Sequence, residues 1–98
     1  MELALRFDQR AIADLAEIRR YIALHDPAAA ERVRLHIRNR IQLLKRFPDV
    51  SRPTDFAGVR VLAPTRYPYR IYFARFPDAI VILHIRHTSR KAPGPNDL

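Results

Sequence analysis

The chain has 98 residues, 48% hydrophobic and 29% charged, with two glycines and no cysteine. That supports one domain with a modest core, and it excludes disulfides, thiol catalysis, thiolate metal sites and glycine-rich phosphate loops. The net charge of +8 leans toward the C-terminal half: ten Lys/Arg face seven Asp/Glu in the first 51 residues, and eight face three in the remaining 47. A balance this basic points to nucleic acid, an acidic protein partner or both, with a simple solubility charge as the plainer reading.

Taken in order, Glu2 to Phe7 alternate and read as a short strand. Neither a signal-peptide core nor an apolar run near the roughly 18 residues of a membrane span is present, so a soluble cytoplasmic chain is expected. Asp8 suits an N-cap. Ala11, Ile12, Leu15, Ile18 and Ile22 recur at helical spacing and are expected to form one buried stripe. Arg10, Asp14, Glu17 and Tyr21 are expected on the wet side, where Asp14 and Glu17 read as solvated charges rather than acid–base groups.

His25-Asp26-Pro27 ends this helix and starts another, with Asp26 as cap and Pro27 in the first helical position. Ala30, Val33, Ile37, Ile41 and Leu44 make the second stripe, which predicts an antiparallel helical hairpin. Arg32, Arg34, Arg38, Arg40, Lys45 and Arg46 decorate this helix; a solvated face is the first reading and an RNA-tracking face the second. Leu35 falls opposite the stripe and is expected to be exposed, as a partner contact or an ordinary lone apolar residue.

Phe47-Pro48 stops the helix, and residues 48–58 read as an irregular loop. Three strands follow. The first begins at Gly58-Val59 and turns at Pro64-Thr65-Arg66; the second covers Tyr67 to Arg75; the third covers Ala79 to His87, after a turn at Phe76-Pro77-Asp78. Strict alternation puts Arg70 with Tyr72 on one face, and Tyr69, Ile71 and Phe73 on the other. In the last strand it puts His84 and Arg86 with Ile80 and Ile82, and His87 with Val81, Leu83 and Ile85. His84 and His87 therefore point to opposite faces and make a poor metal pair; no metal or cofactor is expected. His84 reads as a satisfied buried histidine, and Tyr67, Tyr69 and Tyr72 as packing residues before base-stacking ones. The order is β-α-α-β-β-β, an α+β two-layer fold with the N-terminal strand joining a mainly antiparallel sheet. Residues 1–90 form the domain, and 91–98 (KAPGPNDL) are expected to be a flexible tail.

Six segments carry a resemblance: ADLAEIRRYI (13–22), DPAAAERV (26–33), LLKRFP (43–48), GVRVL (58–62), YPYRIYF (67–73) and IVILHIRHTSR (80–90). In this order and spacing, over residues 3 to 90, the chain resembles RelE/ParE-superfamily toxins of type II toxin–antitoxin systems, and the ParE-like branch more closely. The resemblance implies the same fold and a growth-inhibiting toxin silenced by a cognate ParD-like antitoxin, whose acidic or amphipathic C-terminal segment is expected against the helical hairpin or a sheet edge. Tyr21 and Leu35 are the candidate antitoxin contacts.

Two targets stay open under the resemblance. ParE-like members poison DNA gyrase and serve plasmid stabilisation; RelE-like members are metal-independent endoribonucleases that cut mRNA on the ribosome. The Leu83…His87…Arg90 ending resembles the first branch. Tyr69-Arg70-Ile71-Tyr72 loosely matches the second, with Arg70 inheriting the phosphate-stabilising role and His87 or Arg90 a second basic role. Pairing with a helix carboxylate is the structural alternative for Arg70. The tail lacks the aromatic or His that many nucleases carry, which tilts the reading away from an enzyme. Arg60, Arg66, Tyr67, Arg70, Arg86, His87 and Arg90 are the target-binding candidates. A non-toxic module that pairs with an acidic protein is a third reading.

Overall fold

The computed structural model describes residues 2–98. Strand β1 (Ala4–Phe7) leads through Asp8 into helix α1 (Gln9–Ala23), and the Asp8 carboxylate accepts the Arg10 N–H at 2.9 Å, satisfying a helix-end donor. Asp26 does the same for Ala29 ahead of α2 (Pro27–Arg46). A 3-10 turn (Pro48–Val50) follows, then β2 (Arg52–Pro53), β3 (Val59–Leu62), β4 (Tyr69–Arg75) and β5 (Ala79–His87). The five strands form one sheet in the order β1-β5-β4-β3-β2, antiparallel except for the β1–β5 pair.

All five predicted stripe residues of α2 are buried. They pack with Ala11, Leu62, Ile71, Phe73, Ile80, Ile82 and Ile85 into one core between the hairpin and the sheet. Phe73, Leu44, Ile80 and Ile82 are fully enclosed, and each such side chain contributes about 1.5–3 kcal/mol. The hairpin covers one sheet face only. The other face, the outer face below, carries Arg70, Tyr72 and Ala74 from β4, by alternation from the core residues Ile71 and Phe73.

Four expectations are corrected. Ile12 is 55% exposed, because one step past Ala11 turns it off the stripe defined by Ala11, Leu15, Ile18 and Ile22. Asp14 is not on the wet side: it lies three residues after Ala11 and four before Ile18, so it stands beside both and reaches the sheet. The 48–58 loop holds a fifth strand, β2, whose Pro53 sits at the sheet edge where a missing N–H is tolerated. Residues 91–98 do not stand free of the domain; Pro93 is buried and a 3-10 turn (Pro95–Asp97) rests against β5.

Candidate functional site: the outer sheet face and the end of β5

The fifth correction concerns β5 and creates the site. Phe73 pairs with Ile82 but Tyr72 pairs with His84, so Leu83 is an extra residue, a β-bulge. The bulge reverses the alternation. Ile85 joins Ile80 and Ile82 in the core instead of pointing out, while His84 and Arg86 leave that face and lie beside Tyr72 and Arg70. Without it, His84 and Arg86 would be driven among the core isoleucines, where an unpaired charge is costly.

His84 is 6% exposed, and both ring nitrogens are engaged. Nδ1 lies 2.9 Å from Asp14 Oδ2, and Nε2 donates to the Asp97 carbonyl at 2.6 Å. The same Asp14 oxygen accepts the Ile85 N–H at 3.0 Å. Pairing with β1 stops at Ile82, so beyond it α1 supplies this acceptor to the edge of β5. His84 is thus the satisfied histidine expected from the sequence. The role of Asp14 was missed, though its position between Ala11 and Ile18 was the available signal.

Arg70 and Arg86 are directly opposed across β4 and β5 on the outer face. Among the described residues Arg70 has no carboxylate within ion-pair distance and no side-chain hydrogen bond, so the expected pairing with a helix carboxylate does not form. Arg86 reaches the Lys91 carbonyl at 3.5 Å and Asp97 Oδ2 at 3.9 Å.

The other candidates lie apart from Arg70. His87 pairs with Tyr69 on the helix side, their rings edge-to-face at 5.4 Å, and its Nδ1 accepts the Ser89 N–H. Burial raises the Tyr69 phenol above its ordinary pKa, with Tyr21 adding to the effect. Arg90 approaches Glu17 at 3.7 Å. His87, Arg90, Tyr69, Tyr21 and Leu24 line a cleft of about 710 Å³ between α1 and the end of β5, and Arg86 borders it as well. Arg60 is tied inside the fold, donating to Ser51 Oγ and the Ser51 carbonyl, both at 2.7 Å. Arg66 stacks over the Tyr67 ring at 5.7 Å in the loop beside α2. There His36 meets Thr65 and Tyr67; burial first, then Arg40 and Arg66, hold its imidazole pKa below the ordinary value. Leu35 is exposed as expected.

A second groove, of about 430 Å³ and mostly apolar, runs between β1 and the hairpin over Leu5, Phe7, Leu15, Ile18, Val33 and Ile37, with Arg19, Arg34 and Arg38 at its rim. Arg34 is held by Glu31 at 2.6 Å, a bond that lowers the Glu31 pKa and raises that of Arg34. Arg32 pairs with Asp26, Lys45 and Arg46 with Glu2, and Arg40 with the Ala63 carbonyl, so most of the α2 cations are satisfied within the chain.

A helical hairpin on one side of a five-stranded, mostly antiparallel sheet is the architecture of RelE/ParE-superfamily toxins. Solved structures share the fold. One described as a chromosomal ParDE toxin–antitoxin system from P. aeruginosa superposes with a TM-score of 0.77 at 28% identity, covering 88% of this chain and 96% of that one. The toxin–antitoxin complex RelBE2 of Mycobacterium tuberculosis gives 0.62 at 22% identity, over 89% and 99%. The chain belongs to the family described as the ParE toxin of type II toxin–antitoxin systems, whose sequence model matches residues 5–92. Toxin RelE2 of Caulobacter vibrioides is 34% identical over 82 residues, 83% of this chain and 90% of that protein. Putative toxin Y4kP of Sinorhizobium fredii is 33% identical over 89 residues, 91% and 92%.

Proposed function

We propose that this toxin stops growth by poisoning DNA gyrase and is neutralised in the cytoplasm by a cognate ParD-like antitoxin. The observation that carries the target is the dispersal of the nuclease candidates. RNA cleavage needs a base, a phosphorane-stabilising cation and an acid around one phosphate. Arg70 is on the outer face, His87 on the helix side, and Arg90 beside Glu17. The histidine that shares the outer face with Arg70, His84 opposite Tyr72, has both nitrogens occupied. These residues suit binding better than proton transfer. Arg66, Tyr67, Arg70, Arg86, His87 and Arg90 remain the surface groups from which a target contact is drawn.

The antitoxin reading rests on the apolar groove beside β1. Its apolar floor between strand and hairpin suits an amphipathic segment, and its arginine rim favours an acidic one. Tyr21 and Leu35 lie outside it and would mark a contact that extends beyond the groove.

A ribosome-dependent endoribonuclease is the second reading, kept by the unpaired Arg70. Controlled expression without antitoxin, following DNA and protein synthesis separately, discriminates. DNA damage response and filamentation with translation intact is expected. Immediate translation arrest with mRNA cleavage that Arg70→Ala abolishes would overturn the gyrase reading. Growth without arrest would point to the non-toxic binding module.

A further inference from the structure

We propose that the cleft between α1 and the end of β5 is the surface with which this toxin grips its target, and that it takes an acidic protein segment carrying one large apolar side chain. The inference rests on the reading of the target as a protein, DNA gyrase, and adds where the contact lies and what chemistry it needs.

The apolar part comes from α1. Ile18, Tyr21 and Leu24 follow at three-residue spacing and share one side of the helix, which Leu24 caps. Tyr21 is 69% and Leu24 76% exposed, the two most exposed of the large apolar side chains among the described residues, and both line the cleft. Isolated exposed apolar residues are ordinary, but these two border one concave surface, where a single inserted side chain covers both. Tyr69 and Ile85 line the sheet side, and the Tyr69 ring is held edge-on by His87 at 5.4 Å. Both walls belong to regular structure, so binding has little ordering left to supply.

The charge of the cleft selects an acidic occupant. Its carboxylates are already engaged: Asp14 with His84 and the Ile85 N–H, Glu17 with Arg90 at 3.7 Å. Arg20 lines the cleft with no carboxylate within ion-pair distance among the described residues, and Arg86 approaches one only at 3.9 Å. Tyr and Arg around an apolar centre are the residue types that dominate protein–protein contacts. A nucleic-acid strand needs successive open aromatic faces along a cationic track; here aliphatic Ile18, Leu24 and Ile85 fill much of the wall. The groove beside β1 lies on the other side of α1 and shares only Ile18 with the cleft, so changes at Tyr21, Leu24 and Arg20 leave the antitoxin groove intact.

The test expresses the full chain without antitoxin, follows growth arrest, and measures inhibition of supercoiling by purified gyrase. Tyr21→Ser with Leu24→Ser should weaken both about tenfold or more, the scale of losing an anchoring contact. Arg20→Glu should weaken both, and Arg20→Lys, which keeps the charge, should weaken them less. Ile12→Ser and Arg52→Glu, matched changes on exposed residues outside the cleft, should not. Circular dichroism and unchanged affinity for a cognate antitoxin show that the variants are folded. Equal potency of the Tyr21/Leu24 double variant and Ile12→Ser overturns the cleft, and equal potency of Arg20→Glu and Arg52→Glu overturns the acidic occupant. Folded cleft variants that lose affinity for the antitoxin assign the cleft to it and overturn the proposal. A wild-type chain that arrests growth without inhibiting gyrase removes the gyrase reading alone, and the arrest assay still decides the cleft; one that cleaves mRNA, or arrests nothing, overturns both.

Discussion

Asp14 of α1 and His84 of β5, seventy residues apart, meet at 2.9 Å, and the same carboxylate oxygen takes the Ile85 N–H. One side chain thereby closes the open edge of β5 and fixes the ring whose other nitrogen holds the tail. Asp14→Ala leaves the Ile85 donor and the His84 ring unpaired in a partly buried place. It should cost about 1–3 kcal/mol. Asp14→Asn keeps an acceptor oxygen and should cost less. Urea denaturation of the three proteins checks the order; an unchanged midpoint for Asp14→Ala would remove the clamp from the account.

How far the sequence reached depends on period. The α2 stripe repeats without a break from Ala30 to Leu44, and every member is buried. The bounds of β5 match the expectation because AIVIL is framed by a turn on one side and a polar end on the other. The bulge was not legible: Val81, Ile82 and Leu83 are all apolar, so the shift of phase at Leu83 leaves no polar residue out of step to reveal it. Composition also hid the tail, whose contacts are one buried proline, Pro93, a carbonyl and a carboxylate rather than an apolar run. The arginine candidates were chosen by residue type, and type does not tell Arg60, bonded to Ser51, from Arg70, which is unpaired among the described residues.

The corrected α1 stripe makes a paired prediction. Ile12 and Ile41 are chemically identical, but Ile12 is more than half exposed and Ile41 is buried. Ile41→Ala should cost about 2–5 kcal/mol. Ile12→Ser, a surface change, should stay within about 0.5 kcal/mol. Thermal and urea midpoints of both variants test this, and a large loss at Ile12 would restore it to the core.

Gly58 enters β3 at φ +76°, and its carbonyl accepts the Arg75 N–H. A Cβ there would meet no atom within 4 Å, so any penalty comes from the backbone alone. Gly58→Ala should cost about 1–2 kcal/mol, with Gly58→Asn milder because Asn tolerates the left-handed region. Equal stability of Ala and wild type in urea would contradict the turn geometry.

The depressed His36 pKa fixes the sign of a pH effect. In the unfolded chain the imidazole titrates near the ordinary value of about 6.5; in the fold, burial and then Arg40 and Arg66 disfavour its charged form. The unfolded state therefore binds the proton first. The His36 contribution to stability is present above the ordinary value and is lost as pH falls through the lowered folded value. An NMR titration should find the His36 ring protons moving below the usual histidine range, with Arg66→Gln shifting them partly back. A midpoint above the ordinary value would refute the packing against Thr65 and Tyr67.

The groove beside β1 yields the prediction that bears most on partnership. Its floor is apolar and its rim carries Arg19 and Arg38, for which no carboxylate lies within ion-pair distance among the described residues. An acidic antitoxin segment seated there would be steered by these charges before its apolar residues are buried, so reversing them should act mainly on association. Arg19→Glu with Arg38→Glu should slow association with a cognate antitoxin about tenfold or more at low salt, and the difference should shrink as salt rises, because rim charges are screened. Stopped-flow binding at two ionic strengths measures this directly. Tyr21→Ala lines the other cleft and Leu35→Ala lies on the far side of α2, so affinity that falls with these two and not with the double reversal would move the antitoxin off the groove.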